Sequence, residues 1–561
     1  MQRLTSARAA DRPPAGPSAG LLDRPLVRRG LGWARWLPLL AAAVFAVLLA
    51  VRFTRLAEAL SWNNSDWTSL LTISEGLREG AGASDVVFGT YASYTTVGVN
   101  LATGWLPHHR GVWELWPLLL SLAGVALLAW GAWRLGGRWA GLTAAAIGVA
   151  ASKPVLETFV VQGNHGPAYF TVCLLAAFLV FLAARPVTSR AALAGAGLVA
   201  LVAGTNLASD LMLLVSGIAP FLAAALIVAL RRPGPASRRL LAAAAATSVV
   251  ALVVSGITSG AMNAIGLRGS GTWHGDELSF EPADAVAGDG GHTLANLVRV
   301  GNGDFFGEAV GLRSSVALAL AAATALALGI LVASAWRALR APGPAGDPLP
   351  ARELWILYWG LAAAATVAAV WVLELPAPGG AGVRYLTPAF LAVAAVVPLW
   401  AAWIPRREVA VALAATVFCA MSAVALHRVA TAPPSLYQDE GEQVIALLES
   451  RGLERGYAGY WSAAPISWNS GGALEVLPVS PCASADGGTL CAFVLNRILS
   501  QYEPRSGAPS FVVDSSSIPV GAIGGAPPAL GPPAETLQVG TTMVHVYDYD
   551  VAARFGAPIE F

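Results

Sequence analysis

Trp36-Leu37-Pro38-Leu39-Leu40-Ala41-Ala42-Ala43-Val44-Phe45-Ala46-Val47-Leu48-Leu49-Ala50-Val51-Arg52-Phe53 carries one charge, near its end. Its length is close to the ~20 residues a helix needs to cross a bilayer. Arg28, Arg29 and Arg35 precede it, and no small-residue cleavage site follows. It therefore reads as a retained membrane anchor rather than a removed signal peptide. Upstream, residues 1–34 are rich in Arg, Pro, Ala and Gly without an apolar period, the composition of a disordered tail.

The rest of the chain repeats the pattern. It has 561 residues, of which 56% are hydrophobic and 12% charged, where a soluble domain is about 25% charged. Mean hydropathy is +0.60. A net charge of +1 argues against nucleic acid, which calls for a basic face. Apolar runs cover roughly 36–53, 114–133, 139–153, 167–184, 191–208, 211–230, 240–260, 314–335, 353–373, 385–403 and 409–426. That makes about eleven spans, the third of them short for a bilayer. The expected fold is a mainly α-helical polytopic membrane protein.

Arginine placement orients it. With the N-terminus inside, the inner loops hold Arg134 and Arg138; Arg185 and Arg190; Arg231, Arg232, Arg238 and Arg239; Arg337, Arg340 and Arg352; Arg406 and Arg407. The only acids there are Asp347, Glu353 and Glu408. This is the positive-inside pattern. An odd number of spans puts the N-terminus in the cytoplasm and residues 431–561 outside. The tail changes character: a helical pattern near 440–451 and a second near 489–502, with β-like runs at Leu474–Val479, Phe511–Asp514 and Thr542–Tyr547. It reads as a small α/β domain following a membrane domain of residues 35–430. Within it, Cys482 and Cys491 are placed to form a disulfide where such bonds persist, while Cys173 and Cys419 fall within spans.

Long outer loops are usually functional or disordered, and there are two, 54–113 and 261–313. The first opens with Ser61-Trp62-Asn63-Asn64-Ser65-Asp66-Trp67-Thr68 and also holds Glu75, Asp85, Tyr91, Tyr94, His108, His109 and Arg110. Asp66 is a candidate base, or the N-cap of a helix starting at Trp67. Trp62 and Trp67 would limit water around it, and Asn63 and Asn64 would hold it. The second long loop holds Trp273, His274, Asp276, Glu277, His292, Arg299, Asp304, Phe305 and Phe306. By parity Lys153, Glu157, His165, Asp210 and Arg384 also sit at the outer ends of spans. Ionisable groups at such places cost several kcal/mol and have a partner or a role. Simpler readings are that Arg384 snorkels, Asp210 caps the sixth span and His165 is a loop histidine. Trp113, Trp116, Trp400 and Trp403 read as interface belts.

This layout resembles the GT-C-fold glycosyltransferases, polytopic enzymes that take sugars from polyprenyl-phosphate donors on the outer membrane face. The first outer loop of that class carries an acid soon after the first span, here Asp66. The C-terminal outer domain is similar to that of actinobacterial arabinofuranosyl- or mannosyltransferase-like members. Many members carry two adjacent acids at this point, whereas Trp67 follows Asp66 here. The resemblance implies transfer of a sugar to a glycan, lipid or protein acceptor, with Asp66 as base and Arg384 first among the phosphate-binding groups, ahead of Lys153 and His165. Asp66, Asp210 and Glu157 would suit a shared Mg²⁺ or Mn²⁺ as hard oxygen ligands. In the tail, Tyr457, Tyr460 and Trp461 are candidate sugar contacts, or core. Two other functions remain: a lipid-linked sugar flippase, which calls for charge at mid-span, and a non-catalytic anchor for an outer binding domain.

Overall fold

The structure is a computed structural model that describes residues 33–89, 93–185, 189–269, 281–340, 350–373, 381–482, 489–515 and 523–556. The tail 1–32 and the candidates Tyr91, Trp273, His274, Asp276, Glu277 and Asp347 lie outside the described residues.

Among the described residues, ten helices are long and apolar enough to cross a membrane. In chain order they begin with α1 (Leu37–Trp62). Two shorter helices, α2 (Ser65–Arg78) and α3 (Tyr94–Thr103), flank strand β1 (Val86–Phe88). Next come α4 (His109–Gly136), α5 (Arg138–Val149), α6 (Lys153–Val160), α7 (Gly166–Ala184) and α8 (Arg190–Ser209). A π turn, Leu214–Ile218, leads into α9 (Ala219–Arg231), and α10 (Pro235–Ala264) follows. Strand β2 (Arg268–Gly269) and α11 (Ala283–Val300) precede α12 (Leu312–Arg340), α13 (Ala351–Val372), α14 (Thr387–Ala401) and α15 (Pro405–Thr431).

The doubtful third span is α5 and α6 together, bent by 81°. The 12 residues of α5 rise about 18 Å at 1.5 Å each, short of the ~30 Å hydrocarbon core. Ser152 leaves helical geometry (φ −60°, ψ 158°) and Pro154 occupies the first turn of α6, where its missing N–H does no harm. Contacts at the two ends of this bent pair place the start of α5 and the segment after α6 beside opposite ends of α1. Arg138, at the start of α5, lies over Trp36. On the same side Arg35 pairs with Glu408 (2.9 Å) and Arg232 with Glu353 (2.8 Å), so both of these acids are neutralised. The segment after α6 instead meets the start of α2, just past α1, the end of α8 and the turn before α14, described below. Arg352, which donates to Leu399 O at 2.9 Å, and Arg407, which lies over Trp400, also sit at the end of α14 away from Arg384.

The C-terminal region places α16 (Leu436–Ser450) and α17 (Tyr460–Asn469) against a sheet. Its strands are β3 (Arg455–Ala458), β4 (Glu475–Pro481), β5 (Leu490–Ala492), β7 (Ser510–Ser515), β8 (Glu535–Val539) and β9 (Thr542–Tyr547), in order β5-β4-β3-β7-β9-β8. β3 pairs in parallel with β4 and β7, and the outer pairs are antiparallel. A helix over 489–502 is not found. Leu490, Val494 and Ile498 have helical spacing, but the chain here forms β5, β6 (Arg497–Ile498) and a 3-10 turn. Pairing with β4 and the bond between Cys482 and Cys491, Cα–Cα 5.1 Å, hold it extended. Cys173 and Cys419 are free and buried.

This region is not a pendant. Strand β6 joins β1 and β2 in a second sheet, so both long loops and the C-terminal region share hydrogen bonds. Trp62 is 1% exposed and sits in the core under α16, edge-on to Tyr437. A Cβ at Gly441 would come within 2.4 Å of the Trp62 ring, so only glycine lets α16 this close. Trp113 is likewise no interface belt: it is fully buried and stacks on Trp468 of α17.

Candidate functional site

Asp66 lies in the first turn of α2. The cap is Asn64, whose Oδ1 accepts from Trp67 N–H at 2.9 Å, which leaves Asp66 free of that duty. Asn63 donates to Ala59 O, so neither asparagine holds the carboxylate. Tyr460 does, donating from α17 to Asp66 Oδ1 at 2.5 Å. Burial first, and the Asp66 carboxylate second, push the Tyr460 hydroxyl well above its ordinary range. That hydroxyl stays a donor at any physiological pH.

The segment 161–165 between α6 and α7 links the candidate groups. Gly163 backs onto Asp66: a Cβ there would be 3.6 Å from the Asp66 Cβ. Asn164 Oδ1 accepts from Arg384 Nη1 at 3.3 Å. His165, at φ +64°, pairs through Nδ1 with Asp210 Oδ2 at 2.6 Å. Asp210 also accepts Met212 N–H at 2.9 Å, so it both caps the sixth span and orients an imidazole. Arg384 Nη2 donates to Tyr385 Oη at 3.1 Å, and Tyr169 Oη donates to the Arg384 carbonyl at 2.8 Å. Arg384 is thus held by protein groups on the 3-10 turn Ala381–Leu386 rather than snorkelling. Gln162 anchors the segment, donating to Trp113 O at 2.6 Å and Asn100 Oδ1 at 3.1 Å. Four consecutive residues, Gln162 to His165, therefore touch or anchor the ends of α2, α4, α8 and the α14 turn. Thr95, Thr96, Asn206, Ser209, Asp210 and His165 line a small polar cleft beside it.

Lys153 and Glu157 do not join this cluster. They pair with each other along α6 at 3.7 Å and face Phe45 and Ser422. The donor set does not fit one shared ion. Asp210 is committed to His165 and Met212, Asp66 to Tyr460 and Glu157 to Lys153. Among the described residues no group of three His, Cys, Asp or Glu side chains is arranged to hold a metal. The other acids and bases of the first loop form a structural cluster: Glu75 accepts from Arg78 and pairs with His109 at 2.9 Å. Arg110 lies over Trp468 of α17. In the second loop Arg299 pairs with Asp304 at 3.3 Å, and Phe305 stacks on Phe306. Tyr457 is core, donating to Asp550, and Trp461 accepts from Tyr437 through its carbonyl. Sequence reasoning missed Asn100, Gln162 and Arg497, quoted Asn164 and Tyr385 only as neighbours of His165 and Arg384, and placed Tyr460 without its partner.

No protein-family model matches the chain, and no curated protein matches it. Among solved structures it is similar to an oligosaccharyltransferase of Archaeoglobus fulgidus in complex with Zn and sulfate: TM-score 0.47, 13% identity, 78% of this chain and 62% of that one. It is similar also to the archaeal oligosaccharyltransferase AglB from Archaeoglobus fulgidus in complex with an inhibitory peptide and a dolichol-phosphate: TM-score 0.45, 12% identity, 76% and 64%. A third is ArnT from Cupriavidus metallidurans bound to undecaprenyl phosphate: TM-score 0.48, 13% identity, 89% and 97%. The chain spans less than two thirds of the length of the two archaeal structures. At this similarity none of the three fixes an activity, and the site rests on its own residues. What the structure defines is a multi-pass helical membrane protein with a sheet-containing C-terminal region.

Proposed function

We propose that the protein is a membrane glycosyltransferase that moves a sugar from a polyprenyl-phosphate donor to a glycan, lipid or protein acceptor on the outer face. The observation that carries this reading is the 161–165 segment, which gathers an acid, a histidine–aspartate pair and an arginine at one end of the helices. Arg352 and Arg407 contact the opposite end of α14, and we assign that end to the cytoplasm by the positive-inside rule. Residues 35–430 would then be the transferase domain and 431–561 an outer domain.

The roles follow from chemistry. An acceptor hydroxyl is a weak nucleophile. Asp66 takes its proton as the oxygen attacks the anomeric carbon, and a positioned base is worth about 10²–10⁴-fold. The bond between that carbon and the phosphate oxygen breaks, and the lipid phosphate leaves with the electron pair. Arg384 receives the growing charge, its planar fork matched to phosphate oxygens. His165, oriented by Asp210, supplies a further polar contact on the same side. Tyr460 occupies Asp66 Oδ1 here, so the acceptor hydroxyl meets Oδ2 or displaces the tyrosine. An apolar groove of about 430 Å³ runs between α12, α14 and α15. Its lining runs from Ala389 and Phe390, within two turns of Arg384, to Trp400, Arg406 and Arg407 at the other end, and it suits an isoprenoid chain whose phosphate rests at Arg384.

The test is transfer by the purified full-length protein in liposomes. A panel of radiolabelled polyprenyl-phosphate sugars is presented with envelope lipids and glycans as acceptors. Label moving from at least one donor, and lost in Arg384→Gln, supports the reading. No transfer from any donor, together with no binding of undecaprenyl phosphate, overturns it.

A further inference from the structure

Two arginines of the C-terminal region are equally buried, each 3% exposed, and they differ sharply in company. Arg455 spends its guanidinium on Tyr457, Glu475, Asp550 and the carbonyls of Gln501 and Glu503. Its whole fork is satisfied, as a structural buried arginine requires. Arg497 makes one bond, from Nη1 to Thr72 Oγ1 at 3.3 Å, while Nε and Nη2 have no partner. No carboxylate lies within 4.0 Å of it among the described residues. The groups within electrostatic reach of it are the Tyr502 and Tyr460 hydroxyls and the Asp66 carboxylate. A buried cation with two idle donors is costly unless an anion fills the fork.

The surroundings say where that anion belongs. Arg497 is held in register by β6, opposite Val87 of β1, and the preceding Asn496 accepts Gly89 N–H at 2.7 Å. Its contact, Thr72, lies on α2 beyond Asp66 and donates to Ser69 O at 2.9 Å. Ser69, one turn from Asp66, has a buried hydroxyl without a partner. Idle donors of two kinds, guanidinium and hydroxyl, therefore border the proposed base on the side of the C-terminal region. The donor phosphate is provided for elsewhere, by Arg384 beside the apolar groove. What approaches Asp66 from the extramembrane side is the molecule whose hydroxyl the base deprotonates.

We propose that this acceptor is anionic, and that Arg497 binds a phosphate or carboxylate on it through Nε and Nη2. The assignment rests on the transferase reading. It makes the C-terminal region part of the substrate site rather than an accessory, because Arg497 and Tyr460 both come from it. The fork gives two parallel donors to one oxyanion, and Ser69 adds a third near the base.

The test uses the full-length protein in the Arg384→Gln background, so that one phosphate-binding arginine remains. Inorganic phosphate and galacturonate are titrated, with galactose as the neutral control, by tryptophan fluorescence and thermal shift. Both anions should bind at least ten-fold more tightly than galactose. Adding Arg497→Gln should weaken them ten-fold or more, and Arg497→Lys, which keeps the charge but not the fork, several-fold. Where the glutamine variant does not fold, the lysine variant carries the test. Undecaprenyl phosphate binding by Arg497→Gln alone should stay within three-fold of the parent. Anion binding unchanged in a folded Arg497 variant overturns the proposal. So does loss of undecaprenyl phosphate binding in Arg497→Gln, which would place the donor there. Anion binding that depends on Arg497 in a protein that never binds undecaprenyl phosphate would keep the anion site and sink the lipid-donor reading instead.

Discussion

The contact between Gly163 and Asp66 can be tested by adding atoms one at a time. A Cβ on Gly163 would stand 3.6 Å from the Asp66 Cβ and 3.8 Å from its carbonyl carbon and oxygen. These are ordinary van der Waals distances, and Gly163 is not among the glycines at positive φ. Gly163→Ala should therefore be accepted, with stability within about 1 kcal/mol of the parent and turnover within about three-fold. Gly163→Val adds carbons one bond further out, about 1.5 Å, and its χ1 is stiff. A γ-carbon aimed at Asp66 would come to about 2.1 Å from the Asp66 Cβ, well inside contact, so the loop or the helix must shift. Overpacking of this kind costs about 1–3 kcal/mol, and a shift of about 1 Å in a catalytic group costs ~10²-fold in rate. The assay is single-turnover sugar transfer beside thermal unfolding for parent, alanine and valine. Parental turnover in Gly163→Val, or equal damage from alanine and valine, would refute the placement of this loop against Asp66.

Two further substitutions probe the frame around the site. Trp62→Ala should cost about 3–5 kcal/mol, read by denaturant unfolding of the full-length protein, and should loosen the C-terminal region, read as faster amide exchange in α16. Removing Cys482 and Cys491 together should destabilise that region by roughly 2–3 kcal/mol through the short loop they close. In unreduced, denatured parent neither thiol should alkylate.

Where the sequence was readable, composition did the work. Long apolar runs and flanking arginines locate the spans because the bilayer tolerates little else. The third run was short because the helix breaks before Pro154 and turns by 81° into α6. Asp66 stood out by its place after the first span. Its partner did not: Tyr460 is 394 residues away, and no local pattern links the two. Arg497 was hidden for the same reason, 425 residues from Thr72. The helix expected at 489–502 failed because strand pairing and the Cys482–Cys491 bond override a local apolar period. Trp113 looked like an interface tryptophan by position, yet it stacks on Trp468 of α17, as Trp62 packs under α16, contacts that only tertiary structure brings there. The proposed metal set dissolved likewise, since each carboxylate had a nearer partner.

The central claim is that Asp66 is the base of a sugar transfer, and Asp66→Asn tests it most directly. Asparagine keeps the size and can still accept from Tyr460, so folding should hold, as judged by an unchanged melting profile. Undecaprenyl phosphate affinity should stay within a few-fold. Single-turnover transfer should fall by at least ~10², the low end for a lost base, with kcat and kcat/KM falling together. A folded Asp66→Asn protein that transfers sugar within a few-fold of the parent would contradict the account.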